Sequence, residues 1–199
     1  VYGAFFTSVI ASDEKTGTLL WTSAIAITAV VVSLLSPILG ALADRGGYRK
    51  LFLISFTWIC AIFSILLYFP KAGDVYFALS LFIVANIAFE MGSVFCNSYL
   101  PDLSERKNIG KISGFAWGLG FVGGLSALFL SLMLFPNLDS EGIRSINILV
   151  GVWFLIFSIP TFLFIKDRKS EKLKKHHITD SFKSIKNTFK DLVKYKIIL

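Results

Sequence analysis

The chain has 199 residues, 55% of them hydrophobic and only 17% charged, with a net charge of +7 and a mean hydropathy of +0.71. A soluble domain carries roughly a quarter of its residues as charges and could not hide this much apolar surface, so a water-soluble globular fold is excluded. The basic excess does not point to nucleic acid either. From Lys166 onward there are eleven basic and four acidic residues, which accounts for all of it.

Taken in chain order, the apolar residues fall into discrete stretches. Residues 1–11 are apolar but would reach only about 16 Å as a helix. They read as the outer end of a first helix whose beginning is missing. A signal peptide would need a basic stretch before them and a cleavage site after them, and the sequence has neither. Residues 19–43, 51–69, 75–99, 112–135 and 145–165 follow, each uncharged or nearly so. A bilayer core takes about 20 residues of helix, and each of these stretches is long enough to cross it. Pro37 and Pro160 sit inside spans, where each removes a backbone hydrogen bond and favours a kink. Residues 166–199 form a basic segment in which Ile178, Phe182, Ile185, Phe189 and Leu192 recur at helical spacing. An amphipathic helix is expected over about 179–195, capped by Thr179 or Asp180 and lying on the inner leaflet or on a partner. The last residues read as the start of a further apolar helix, so the chain is expected to be a fragment cut at both ends.

Lys and Arg set the orientation. One set of connections holds Arg45, Arg49 and Lys50, then Arg106, Lys107 and Lys111, then all eleven basic residues from Lys166. The alternate set holds only Lys15, Lys71 and Arg144. The basic set is expected on the cytoplasmic side. Trp21, Tyr68 and Tyr76 at outer span ends, and Tyr99 at an inner one, fit an interfacial aromatic belt. Cys60 and Cys96 lie at different depths and are read as packing residues rather than a disulfide.

Three groups of residues carry the chemistry. Glu90 is the one charged residue inside an expected span, where a carboxylate is costly unless it protonates, pairs or faces water. Asn86, Glu90, Ser93 and Asn97 share one helix face, a polar stripe expected to point into the bundle or an aqueous cavity. Structural glue is the plainer alternative, in which a protonated Glu90 bonds to a neighbouring helix. In the fourth complete span Gly110, Gly114 and Gly118 repeat at four-residue spacing, as do Ala116, Gly120 and Gly124, giving two faces without bulk for close helix packing. Gly118-x-Gly120-x-x-Gly123 matches a dinucleotide fingerprint only formally, because it lies inside an apolar span rather than after a strand. No phosphate-binding loop occurs, and His176–His177 have no ligands at metal spacing, so neither cofactor nor metal is expected. Paired catalytic groups are missing too, and an intramembrane enzyme ranks last.

The third group is the charged turn itself. Gly40-x-Leu42-Ala43-Asp44-Arg45-x-Gly47-x-Arg49-Lys50 resembles the signature loop between the second and third helices of the major facilitator superfamily, with Tyr48 at a place usually basic. Residues 95–102 (Phe-Cys-Asn-Ser-Tyr-Leu-Pro-Asp) and 112–120 (Ile-Ser-Gly-Phe-Ala-Trp-Gly-Leu-Gly) look like its vacuole-effluxer branch, whose fungal members are autophagy-related vacuolar amino-acid exporters. The resemblance implies an all-α polytopic membrane protein: the N-terminal six-helix half of a twelve-helix fold, first helix truncated, with the basic tail as the central loop. It further implies a secondary transporter of small solutes working by alternating access, with amino-acid efflux; proton coupling through Glu90 is the reading of that lone in-span carboxylate itself. Gly40, Asp44, Arg45, Gly47, Arg49 and Lys50 are read as a conformational latch, with an ordinary positive-inside hairpin as the plainer alternative. Asp44 would meet a helix N-terminus in the missing C-terminal half. The implied partners are the solute, the bilayer and that second half, in a plasma membrane if prokaryotic or a vacuolar or other membrane if eukaryotic. A non-transporting scaffold or receptor that keeps the fold is the alternative, with no reason to retain a cavity-facing carboxylate. If the orientation is right, an impermeant amine reagent should label Lys50 and Lys107 only after the membrane is opened. Labelling of both in sealed cells would reverse it.

Overall fold

The computed structural model describes residues 2–11, 13–136 and 139–166, although the side chains of Ala41, Asp44, Arg45 and Gly46 fall outside that description. The expected amphipathic helix at 179–195 lies outside the described residues. All regular structure among the described residues is helical: α1 (Tyr2–Phe5), which continues into a π-helical turn (Phe6–Ile10), α2 (Glu14–Gly46), α3 (Arg49–Leu66), α4 (Val75–Asn97), the single turn α5 (Leu100–Leu103), α6 (Ile109–Leu134) and α7 (Ser140–Phe164). Among the described residues α2, α3, α4, α6 and α7 are each long and apolar enough to cross a membrane. The protein is an integral, multi-pass, all-α membrane protein. For half of a major facilitator fold this is the architecture required.

Local chemistry explains where the helices start and stop. The Asp13 carboxylate accepts from the Thr16 N–H and the Thr16 hydroxyl, both at 2.9 Å, and so caps α2. These hydrogen bonds also hold the Asp13 carboxyl below its ordinary range. The cap lets α2 begin at Glu14 rather than at residue 19, where the uncharged run begins. α2 then runs 33 residues, about 50 Å, straight through Pro37. It ends at Gly47, whose φ of 66° is left-handed and suits glycine. At the start of the chain the Thr7 and Ser8 hydroxyls both donate to the Ala4 carbonyl, at 3.0 and 2.8 Å. This competition for one acceptor accompanies the widening of the turn to a π-helix. Asp139 caps α7 through the Gly142 N–H at 2.8 Å, so α7 starts at Ser140 rather than 145 and takes Arg144 into the helix.

The chain zigzags between two ends, and the bundle core is built around α4. The Ala78, Leu81, Ala85, Ala88 and Phe95 side chains are buried in the bundle, in a helix that packs on α3 and α2. At the end holding the charged hairpin, Leu53, Met91, Phe95 and Tyr99 are buried together, with Phe52 and Phe56 stacked on Phe95 at 5.2 and 5.7 Å. At the opposite end Phe5, Phe6, Ile10, Ala24, Ala78 and Leu79 cluster, and Trp21 stacks on Phe82 at 4.0 Å. Tyr99 is therefore buried in the core and Trp21 is half-buried against the cluster at its own end, while Tyr76 is 81% exposed. The α3–α4 loop is tied to the first segment by a backbone bond from Gly73 N–H to the Ile10 carbonyl, 3.0 Å. By contrast α6 lies almost unpacked, with Ser131 its one buried residue.

α3 and α7 cross so closely that Gly151 has no room for a side chain. A Cβ there would stand 2.6 Å from Ile65 Cγ1 and 2.8 Å from the Ala61 carbonyl oxygen. Gly151→Ala should therefore destabilise the bundle by about 1–3 kcal/mol, the usual cost of overpacking. Gly92→Ala, whose Cβ would meet only Phe56 Cβ at 4.0 Å, should be near neutral. Thermal unfolding of the two purified variants in detergent checks the contrast.

Candidate functional site

Two features of the bundle have the chemistry of a working site. The first is at the hairpin end. Gly47 turns the chain, and α3 begins at Arg49 with its side chain directed across to the end of α4. The Arg49 Nη1 donates to Asp102 Oδ2 at 2.9 Å and to the Ser98 carbonyl at 3.4 Å. Both side chains are only about a fifth exposed, at 21% and 20%. A charge-assisted bond in that setting is stronger than a surface ion pair. Asp102 is placed by a short elbow: Tyr99 is buried at 3%, Pro101 stands in the first turn of α5, and the Asp102 N–H donates to the Tyr99 carbonyl at 2.9 Å. The hairpin and the end of α4 are thus clamped together. The backbone of Asp44 and Arg45 belongs to the last turns of α2, while their side chains lie outside the description. Lys50 also has an interaction partner. A Cβ added at Gly40 would meet nothing within 4 Å among the described residues.

Asp102 is the residue that reading the sequence for sites missed. The available signal was an acidic residue directly after Pro101, in a connection on the same side of the membrane as the Arg49 turn.

The second feature is the α4 stripe. Asn86, Glu90, Ser93 and Asn97 lie on the side of α4 away from its buried Ala78–Leu81–Ala85–Ala88 row. Asn86 and Ser93 are half-buried, and Glu90 and Asn97 are exposed. Among the described residues none of these four side chains has a hydrogen-bond partner. Glue between Glu90 and a neighbouring described helix is therefore not what the geometry has. The stripe is an open polar face on a membrane-crossing helix, and it needs water or a polar partner beside it.

The α6 glycines behave differently from the expectation of tight packing. Gly114, Gly118, Gly120 and Gly124 have nothing within 4 Å of a Cβ position among the described residues. The faces without bulk are present, but no described helix approaches them, and the main contacts of α6 are with α5 and α7.

Comparison with known proteins turns this architecture into a family assignment. The family described as "Vacuole effluxer Atg22 like" matches residues 11–111 and 104–199, nearly the whole chain. The chain belongs to that family. It is 26% identical to the uncharacterized MFS-type transporter YxiO of Bacillus subtilis (strain 168), over 96% of this chain and 46% of the relative. Autophagy-related protein 22 of Pichia angusta is 27% identical over 66% of this chain and 28% of the relative. The same-named protein of Yarrowia lipolytica is 25% identical over 77% and 36%. The chain thus spans less than half the length of these relatives. No solved structure matches it.

The clamp can be measured apart from any activity. In a double-mutant cycle with Arg49→Gln and Asp102→Asn, thermal unfolding should give a coupling of about 1–2 kcal/mol. Additive losses would mean that the pair contributes nothing of its own.

Proposed function

We propose that this chain forms one half of a secondary transporter that moves small solutes across a membrane by alternating access. The observation that carries this reading is the open polar face of α4: a carboxylate, two amides and a hydroxyl on a membrane-crossing helix, turned away from the packed core. Facing lipid, Glu90 would cost a few kcal/mol. Facing a water-filled cavity between two halves it costs little and lies where solute and protons pass. The relatives' names support the same reading, since one is an MFS-type transporter and the family is one of vacuole effluxers.

In this scheme Glu90 is the proton-coupling group, with Asn86, Ser93 and Asn97 lining the solute path beside it. The hairpin residues Gly40, Asp44, Arg45, Gly47, Arg49 and Lys50 are the latch. Arg49 holds the hairpin to the α4–α5 elbow through Asp102, and Asp44 presents its charge to the second half in one of two states. The open glycine faces of α6 receive a helix of that half. Amino acids are the solute class, outward from the cytoplasmic or vacuolar compartment, by analogy with the autophagy-related relatives. The membrane is vacuolar in a fungal setting and the plasma membrane in a bacterial one.

Uptake into proteoliposomes by the natural full-length protein, across an amino-acid panel with and without a pH gradient, tests the scheme. Glu90→Gln should lower gradient-driven uptake on the order of tenfold or more while leaving expression and folding intact. Asp44→Asn should slow exchange about fivefold or more. Uptake by Glu90→Gln equal to the wild type would reduce Glu90 to a packing role.

A further inference from the structure

At the end opposite the hairpin, Arg144 lies in the second turn of α7, inside a helix long enough to cross the membrane. Its guanidinium carbon sits 4.9 Å over the centre of the Tyr68 ring, which fixes the plane of the fork. The Nε is sealed from water and has no hydrogen-bond partner among the described residues. The hydroxyl of Tyr2, on α1, is sealed and unpartnered in the same way. These are the two such side-chain atoms among the described residues, and they lie on α1 and α7, which pack against each other. Ile143, beside Arg144, packs on the same cluster as Tyr2 and Trp21.

The acids at this end serve other groups. Asp13 caps α2, Asp74 accepts from the Lys71 N–H at 3.0 Å, Asp139 caps α7, and Glu14 and Glu141 are exposed. None forms an ion pair with Arg144 among the described residues. An arginine does not shed its proton, so a guanidinium held partly inside a membrane bundle is favoured by an acceptor beside it, most strongly one carrying negative charge. Leaving two sealed donors without one costs free energy that a ligand would recover.

We propose that Arg144 and Tyr2, with the Tyr68 ring behind the guanidinium, form an oxyanion site at this end of the bundle, one that takes a carboxylate or a phosphate group. The Nε–Nη edge of Arg144 receives the oxyanion, and the Tyr2 hydroxyl donates a second hydrogen bond. Two sources supply that chemistry: the carboxylate of a small solute, or the phosphodiester of a lipid headgroup. The site does not depend on Glu90 or on the latch, so it stands or falls separately from transport.

Thermal unfolding of the natural full-length protein, delipidated in detergent at constant ionic strength, tests it with acetate, dimethyl phosphate and neutral acetamide. Acetate or dimethyl phosphate should raise the unfolding midpoint above a chloride reference, and acetamide should not. A response to acetate alone assigns the site to solute carboxylates, and a response to dimethyl phosphate alone assigns it to lipid phosphate. Apparent affinity should fall by about tenfold or more in Arg144→Gln and about fivefold in Tyr2→Phe, the loss of one hydrogen bond. Lys71→Gln, exposed at the same end, should bind as the wild type does. If Arg144→Gln does not fold, Tyr2→Phe, which deletes a single oxygen, carries the test. Failure of both anions to shift the midpoint overturns the proposal. A shift that persists undiminished in Arg144→Gln, or in Tyr2→Phe when that variant alone folds, does the same.

Discussion

Hydrocarbon offers no hydrogen bonds, and that constraint organises this molecule. Backbone groups in the bilayer must be paired within helices, so the described chain is helical throughout its spans. Charges are driven to the ends, where they meet water or one another. The caps at Asp13 and Asp139 and the Arg49–Asp102 pair all sit at helix ends. Against that background Glu90, midway along α4, and Arg144, drawn into α7 with its Nε sealed, stand out by their surroundings. Each keeps a charge where the surroundings resist it, and each therefore implies something polar alongside.

The core follows from residue size more than from hydrophobicity. Every spanning helix is apolar, so apolarity cannot select which face turns inward. Small residues do so on α4, where Ala78, Ala85 and Ala88 let neighbouring backbones approach, and on α7, where Gly151 fits against Ala61 and Ile65 of α3. Aromatic stacking then fills the remaining space at both ends. On α6 the same small residues meet no described neighbour, so small size permits close approach without causing it.

Much of this could be read from the sequence, for identifiable reasons. Long uncharged runs separated by charged turns mark membrane helices directly, and the Gly40–Lys50 turn carries a family resemblance that the family match supports. The shared face of Asn86, Glu90, Ser93 and Asn97 follows from helical spacing. Other features depend on contacts between distant parts of the chain. Nothing local shows that Arg49 reaches Asp102, or that Tyr99 is buried and Trp21 packs on Phe82. Helix starts depart from the uncharged runs wherever a cap, not hydropathy, decides them. Asp139 draws Arg144 into α7, and a count of uncharged residues leaves it in a loop.

The bond from Gly73 to the Ile10 carbonyl joins the first segment to the α3–α4 loop at one extremity, and the Arg49 clamp joins α3 to the α4–α5 elbow at the other. A pair of rods fastened at top and bottom resists shear and bending alike. With α3 and α4 also joined by their own loop, a displacement applied at either extremity is shared by both helices.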